Sequence, residues 1–127
     1  MKKILTCLLA VLGLTSACGQ GNYDDIDVNG FAGLVADSSV IVLDVRTVGE
    51  FADGHIDRAV NVDVKLSNFM EKAKAVLAAD KTIAVYCRSG RRSASACGKL
   101  SSVGYKCVNL KGGILAWMDE KKPVITK

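Results

Sequence analysis

One cysteine followed by three arginines is the stretch of this sequence best suited to chemistry. Residues 86–93 read YCRSGRRS. Cys87 ends an apolar run, and the arginines after it are Arg88, Arg91 and Arg92. The thiolate is the reactive form of cysteine, and neighbouring cations or a helix N-terminus lower the pKa of a thiol. Guanidinium groups stay protonated, so they can hold a thiolate or an anionic substrate but cannot act as bases. We therefore predict a nucleophile in an anion-binding loop, with a structural cysteine beside a solvated turn as the alternative.

Few other side chains outside this loop suit catalysis or metal binding. The single histidine, His55, lies in the turn-like stretch DGHI, 32 positions before Cys87, and we expect it to form structural hydrogen bonds rather than act as a base. We expect Cys97 to be an inert core residue, whereas Cys107 starts a predicted strand and could be more exposed. Because the sequence contains no CxxC motif and one histidine, we predict neither a metal site nor a cofactor.

The N-terminus has the pattern of an export signal. Two lysines precede eleven apolar residues, 4–14, which are followed by small residues and then Cys18. Such a run is a signal-peptide pattern, and it is shorter than the roughly 20 residues that span a bilayer. A cysteine directly after small residues resembles the lipobox of bacterial lipoproteins. That resemblance implies cleavage before Cys18, lipidation of its sulfur, and membrane anchoring through the lipid. Plain secretion with cleavage nearby is the alternative.

These features divide the chain into four parts. We predict a signal peptide over residues 1–17, a polar lipidated tether over 18–29, one domain over 30–122, and a short tail over 123–127. The protein would then be exported and anchored in the bacterial cell envelope, on the periplasmic side or in the outer membrane.

Composition limits the classes of partner. The chain has 127 residues and a net charge of +4, which falls to +2 once the two lysines of the signal peptide are removed. A charge this small does not favour nucleic acid as a partner, and we expect a monomer.

Five cysteines become three free candidates after cleavage and lipidation. An odd number in an exported protein leaves at least one thiol outside any set of disulfides.

The elements that must position the cysteine form an alternating pattern. Two apolar runs without polar alternation, 40–43 and 82–86, suit strands buried on both faces of a parallel sheet. Shorter strands are predicted at 60–62 and 107–110. Helices are predicted over 67–78, 91–103 and 113–121, the first two with apolar faces that include Val76 and Val103. Alternating strands and helices predict an α/β fold with a central, mostly parallel sheet and helices on both faces.

Two of the predicted strands end in residues that could form a site. Asp44 follows the first buried strand, and Cys87 follows the other. Ligands of open α/β sheets bind at the carboxyl ends of the strands. A short loop that leads into a helix also directs backbone N–H groups and the positive end of the helix dipole toward an anion. We therefore predict the site at this edge of the sheet.

Three segments resemble the signatures of the rhodanese-like domain. They are IVLDVRTVGEFADGHIDRAVNVDV over 41–64, IAVYCRSGRRS over 83–93 and VGYKCVNLKGGILAW over 103–117. The resemblance implies a sulfurtransferase in which Cys87 takes sulfane sulfur from a small anionic donor such as thiosulfate. The cysteine would hold that sulfur as a persulfide and pass it to a thiol or, in assays, to cyanide.

The resemblance also implies roles for the surrounding residues. The backbone of the active-site loop would surround the Cys87 sulfur; its residues are Arg88, Ser89, Gly90, Arg91 and Arg92. Arg91 and Arg92 would attract the dianionic donor. Arg88 would pair with Asp44 in a supporting role, and Arg46 would be the partner of Glu50.

Three alternative functions share parts of this pattern. Phosphatases and arsenate reductases with similar loops use C-x5-R, and the sequence has Ser93 where that arginine would stand. A noncatalytic rhodanese-like binding module usually lacks the cysteine, which is present here. A persulfide carrier that does not turn over would use the same cysteine and stays open.

Overall fold

The centre of the protein is a five-stranded sheet in which every neighbouring pair of strands is parallel. The computed structural model describes residues 22–126. The strand order is β1-β5-β4-β2-β3. The strands are β1 (Asp24–Ile26), β2 (Ile41–Asp44), β3 (Val60–Asn61), β4 (Thr82–Tyr86) and β5 (Lys106–Leu110). The prediction of an α/β fold is confirmed.

Helices bury the apolar side chains of both sheet faces. The helices are α1 (Val28–Val35), α2 (Val48–Asp53), α3 (Phe69–Val76), α4 (Arg91–Ser101) and α5 (Gly113–Asp119). One core cluster joins α3 and α4 to the sheet and contains Phe69 and Leu100. The other joins α1 and α5 to the opposite face and contains Phe31 and Trp117. Burial of these two apolar surfaces is the main force that holds the helices on the sheet.

The register of β2 and β4 places their ends side by side. Asp44 is opposite Tyr86 in the parallel ladder, and the next residue, Val45, donates its N–H to the Tyr86 carbonyl at 3.1 Å. The chain segments that follow Asp44 and Tyr86 therefore leave the same edge of the sheet. This confirms the predicted proximity of the two strand ends.

The prediction of a tether up to residue 29 is wrong from residue 24 onward. Residues Asp24–Ile26 form the edge strand β1, which pairs with β5 in parallel. Asp27 then caps α1, since its side chain accepts a hydrogen bond from the Gly30 N–H at 2.9 Å. The acidic segment is ordered because β5 supplies backbone partners, although it has no apolar run of its own.

The C-terminal residues 123–125 also belong to the domain rather than to a separate tail. His55 and Ile125 exchange two backbone hydrogen bonds of 2.8 Å each. The Trp117 indole N–H donates to the Pro123 carbonyl at 2.8 Å, and its side chain is only 3% exposed. Trp117 is therefore a core residue.

The three predicted helices each end two residues earlier than expected, at Val76, Ser101 and Asp119. Val76 is the last residue of α3 and is 46% exposed, while Val103 lies beyond the end of α4 and is 51% exposed. The predicted apolar faces were wrong at both positions: Val76 lies within α3 but outside the face that buries Phe69 and Ala73, and Val103 follows the end of α4. None of the helices between residues 22 and 126 has the length and apolar character needed to cross a membrane. The predicted signal peptide and Cys18 lie outside the described residues.

Candidate active site

Cys87 directly follows β4 and begins a tight loop that leads into α4. Its side chain is 1% exposed, because the sheet and α4 enclose it. The loop turns at Gly90, which has a φ of 103° and occupies the N-cap position of α4. A residue with a side chain would be strained at that φ, so glycine allows the helix to begin within four residues of the cysteine.

The Cys87 sulfur is surrounded by hydrogen-bond donors. The Gly90 N–H donates to Sγ at 3.1 Å, and the Ser93 hydroxyl donates to Sγ at 3.3 Å. Burial acts to raise the pKa of Cys87, but the Ser93 hydroxyl and the backbone amides of Ser93, Gly90 and Ser89 outweigh it and leave the pKa lowered. These donors favour the thiolate over the thiol.

The carbonyl groups of the loop point away from the sulfur and bind the start of α5. The Ile114 N–H donates to the Cys87 carbonyl at 2.9 Å, and the Leu115 N–H donates to the Arg88 carbonyl at 3.2 Å. Gly113 makes this approach possible, because a Cβ there would lie 2.3 Å from the Arg88 oxygen. Its φ of 62° also favours glycine. The N-terminus of α5 therefore holds the loop with its amides free to face the sulfur.

Asn109 of strand β5 supports the active-site loop through a hydrogen bond. Its side-chain N–H groups donate to the Gly90 carbonyl at 3.3 Å and to Asp25 Oδ1 at 2.9 Å. Asn109 itself is 4% exposed, whereas its partner Asp25 is exposed on the edge strand. This contact links the edge strand β1 to the geometry of the active-site loop.

The expected pair between Arg88 and Asp44 does not form. Asp44 is instead bound by Arg46, whose Nη2 lies 2.7 Å from Oδ2 and whose Nε lies 3.0 Å from Oδ1. The same Nη2 donates to the Gly54 carbonyl at 2.7 Å, so this buried pair is supported from a second element. Arg88 is exposed and forms no salt bridge among residues 22–126. The physical reason is that Arg46 lies two residues after Asp44, at the same strand end, and binds both oxygens of its carboxylate.

The expected pair between Arg46 and Glu50 is also wrong. Glu50 binds Arg92 through two hydrogen bonds of 2.8 and 2.9 Å. The capping box at the start of α2 holds Glu50, which accepts a hydrogen bond from the Thr47 N–H at 3.0 Å. Hydrogen bonding to Arg92 is the main cause that lowers the pKa of Glu50 to about 2. Arg91 is exposed and forms no salt bridge in the described part of the chain.

The remaining cysteines and the histidine have structural environments. His55 Nδ1 lies 2.9 Å from the Phe51 carbonyl, and its ring stacks on Phe51 at 3.8 Å, which agrees with the structural role expected for it. Cys97 is fully buried; its hydrogen bond with Cys107 and its burial raise its pKa. Cys107 is only 3% exposed, so the expectation of greater exposure was wrong. Residues 22–126 contain no cluster of three or more side chains suited to a metal ion.

Sequence reasoning missed the contributions of three residues. Ser93 lies in the first turn of α4, and that position is a signal in the sequence that its hydroxyl faces the cysteine. Gly113 was part of a recognised segment, but its contact with the loop depends on how α5 packs. Asn109 offered no signal, because a polar residue in a strand does not reveal which loop it reaches.

Comparison with known proteins agrees with this geometry. The sequence matches the family described as the rhodanese-like domain over residues 27–120. A sulfurtransferase of Allochromatium vinosum is 34% identical over 104 residues, which cover 80% of this chain and 94% of that protein. Thiosulfate sulfurtransferase 18 of Arabidopsis thaliana is 40% identical over 97 residues, which cover 67% of this chain and 71% of that protein.

A solved structure supports the same assignment. The crystal structure of a rhodanese-related protein from Thermoplasma volcanium superposes with a TM-score of 0.74 at 35% sequence identity, covering 83% of this chain and 100% of that one. The residues matched by the family, 27–120, include strands β2 to β5 and the loop that carries Cys87. On this sequence and structural evidence, the chain belongs to the rhodanese-like domain family, whose relatives here include named sulfurtransferases.

Proposed function

We propose that this protein is a sulfurtransferase that moves sulfane sulfur from thiosulfate or a similar anionic donor to a thiol, through a persulfide on Cys87. The observation that carries the proposal is the set of donors around one sulfur atom. Gly90 and Ser93 donate to Sγ, and the pKa of Cys87 is lowered despite its burial. A nucleophilic thiolate is what attack on a sulfane sulfur requires.

The first step is attack on the donor. The Cys87 thiolate forms a bond to the outer sulfur of thiosulfate, and the S–S bond of thiosulfate breaks. Sulfite leaves with the electron pair of that bond, and the enzyme keeps a persulfide anion. Negative charge is conserved, and it moves from the cysteine sulfur to the outer sulfur, where loop amides continue to act as donors.

The second step returns the cysteine to its starting form. An acceptor thiolate, or cyanide in an assay, attacks the outer sulfur of the persulfide. The S–S bond breaks and the Cys87 thiolate is the leaving group, which a lowered pKa makes better. The product is an acceptor persulfide or thiocyanate. No external oxidant or reductant is needed in either step.

The loop arginines Arg91 and Arg92 would contribute unequally to binding the anionic donor. Arg91 is exposed and forms no salt bridge among residues 22–126, so its charge is directly available to an anion. Arg92 is shared with Glu50, which offsets much of its charge. We therefore propose that Arg91 contributes more to binding a dianion than Arg92 does. Single alanine variants, compared by the KM for thiosulfate, test this order: a larger increase for Arg92→Ala would contradict it.

The geometry at Ser93 favours sulfur transfer over phosphate or arsenate chemistry. In a C-x5-R loop the final arginine closes around an oxyanion, whereas here Ser93 is fully buried and its hydroxyl is committed to Sγ. A noncatalytic module would have no use for donors directed at a cysteine sulfur. Persulfide carriage without turnover needs the same groups, so a turnover assay is what separates it from an enzyme.

The experiment is thiocyanate formation from thiosulfate and cyanide. Cys87→Ser should abolish it while the circular dichroism spectrum and urea midpoint stay near those of the wild type. Cys97→Ala serves as the matched control, because it removes a buried thiol outside the loop and should retain activity. Full activity of Cys87→Ser would refute the proposal.

We also propose that the protein is an exported lipoprotein anchored through Cys18. The support is the N-terminal sequence pattern alone, since those residues lie outside the described part of the chain. Because β1 begins at Asp24, five residues separate the anchor from the sheet, and the six Cα–Cα steps from Cys18 to Asp24 can span at most about 20 Å. Detergent-phase partitioning of the wild type, lost in Cys18→Ala, is the expected result; an aqueous wild type would contradict it.

A further inference from the structure

A cleft with a volume of about 330 Å³ lies at the carboxyl edge of the sheet. It is lined by the start of α2, by the segment after β3 and by α3. Three of its side chains are large, apolar and exposed: Val48 at 72%, Leu66 at 42% and Val76 at 46%. A cleft of this volume matches the lower end of the range for small-molecule sites. Exposed apolar side chains that converge on one concave surface indicate that something binds there.

The cleft lies beside the active-site loop. Val48 is the first residue of α2, two positions before Glu50, whose carboxylate binds Arg92 at the start of α4. Hydrogen bonding to Glu50 does most to raise the pKa of Arg92, and the charges of Cys87 and Asp63 add to it. Asp63 lines the cleft. Arg92 therefore joins the start of α4 to α2, the helix whose first residue lines the cleft.

One cation of the cleft is available to a ligand. Lys72 lines the cleft, is exposed, and forms no salt bridge within the part of the chain that the structure describes. The lining thus combines an aliphatic surface with a free ammonium group and one carboxylate, that of Asp63, whose Oδ1 already accepts a hydrogen bond from the Lys65 N–H at 2.9 Å. A ligand with an aliphatic chain and a carboxylate is complementary to the aliphatic surface and the ammonium group.

We propose that this cleft binds the body of the sulfur acceptor, and that the acceptor is a small aliphatic thiol with a carboxylate. Its chain would pack on Val48, Leu66 and Val76, its carboxylate would pair with Lys72, and its thiol would extend toward Cys87. This inference rests on the proposed sulfur transfer. In the step it serves, the acceptor thiolate bonds to the outer sulfur of the Cys87 persulfide, the persulfide S–S bond breaks, and the Cys87 thiolate leaves.

The kinetic test compares acceptors that share the same thiol but differ in the chain. Mercaptohexanoate should exceed mercaptopropionate in kcat/KM by about tenfold, since each fully buried methylene contributes up to about fourfold. Mercaptohexanol, which lacks the carboxylate, should fall below mercaptohexanoate. Cyanide has no chain and serves as the reference acceptor for every variant.

The matched variants are Val76→Ser and Val103→Ser, because both valines are about half exposed and only Val76 lines the cleft. Val76→Ser should reduce the preference for mercaptohexanoate over mercaptopropionate by threefold or more and leave cyanide turnover unchanged. Val103→Ser should change neither. Lys72→Ala should bring mercaptohexanoate down to the level of mercaptohexanol. The inference would be overturned if Val76→Ser and Val103→Ser changed the kcat/KM ratio of mercaptohexanoate to mercaptopropionate equally. It would also be overturned if the wild-type protein did not prefer the longer of these acceptors.

A binding measurement keeps this inference separate from the proposed function. Hexanoate has no thiol, so its binding does not depend on turnover. Titration of the wild-type protein with hexanoate should shift the methyl NMR signals of Val48, Leu66 and Val76 and leave that of Val103 in place. Absence of these shifts together with normal thiocyanate formation defeats the cleft assignment alone. Shifts without thiocyanate formation defeat the sulfur-transfer proposal and leave the cleft as a carboxylate site.

Discussion

Replacing Gly113 with alanine tests whether the start of α5 holds the active-site loop. The new Cβ would lie 2.3 Å from the Arg88 carbonyl oxygen and 2.7 Å from that of Cys87. Both contacts are with backbone, which cannot rotate aside as a side chain can. The loop or the helix would have to move, which would weaken the bonds from Ile114 and Leu115 to the loop carbonyls.

The expected loss of stability has two parts. A φ of 62° costs a residue with a Cβ about 1–2 kcal/mol relative to glycine. Insertion of a methyl group into a packed contact typically costs about 1–3 kcal/mol more. Gly113→Ala should therefore lower the free energy of unfolding by roughly 2–5 kcal/mol. Thiocyanate formation should fall as well, since a small displacement of a positioned reactive group costs large factors in rate.

Two other glycines separate these contributions. Gly104 has a φ of 101°, and a methyl group added there would meet no atom within 4 Å, so Gly104→Ala carries the backbone strain without the contact. Gly33 also has open space and lies inside α1, so Gly33→Ala should stabilise the protein by about 0.5–1 kcal/mol.

Urea unfolding measures the free energy of unfolding of all three variants. The transition is followed by the fluorescence of the single tryptophan, Trp117, and by circular dichroism. Coincident transitions from the two probes justify a two-state treatment. If Gly113→Ala loses no more stability than Gly104→Ala, the close approach of α5 to the loop is not the constraint described above.

Three further predictions concern the charges and donors of the site. Ser93→Ala should raise the pKa of Cys87, which the pH dependence of its alkylation rate reports; an unchanged midpoint would mean that the hydroxyl does not favour the thiolate. The pKa of Glu50 lies at about 2 because its arginine partner favours the ionised form, so wild-type stability should fall as the pH drops from about 4.5 toward 2. Urea midpoints should fall less over that range in Glu50→Gln, and parallel curves would argue against the ion pair. Asp44→Asn should cost about 3–5 kcal/mol because it leaves a buried guanidinium unpaired, whereas Arg88→Ala should stay within about 0.5 kcal/mol; the reverse order would restore the pairing first expected from the sequence.

The central strands were predictable because strands buried on both faces need continuous runs of apolar residues, and such runs are visible in the sequence. The run 82–86 matches β4 residue for residue, and the run 40–43 differs from β2 by one position. Both strands are covered by helices on two faces, so they need continuous apolar residues. Strand β1 was not predictable on the same grounds. It is a three-residue edge strand, DDI, and β5 rather than its own sequence supplies its stability.

The position of the active site in the fold was predictable from the sequence, but the contacts between its side chains were not. A cysteine at a strand end before a helix indicates where the reaction centre lies, and Gly90 indicates how the loop turns. The partners of the arginines depend on side-chain directions. Arg46 reaches Asp44 from the same strand end, and Arg92 reaches Glu50 from another helix, and neither pairing has a signature in sequence spacing.

Intact mass spectrometry after incubation with thiosulfate is the most direct test of sulfur transfer through Cys87. The wild-type protein, freed of excess donor, should retain one additional sulfur atom, and fragmentation should place it on Cys87. Cyanide should remove that atom and yield thiocyanate. Cys97→Ala should behave as the wild type, and Cys87→Ser should remain unmodified. A wild-type mass that does not change, or sulfur retained by Cys87→Ser, would contradict the account.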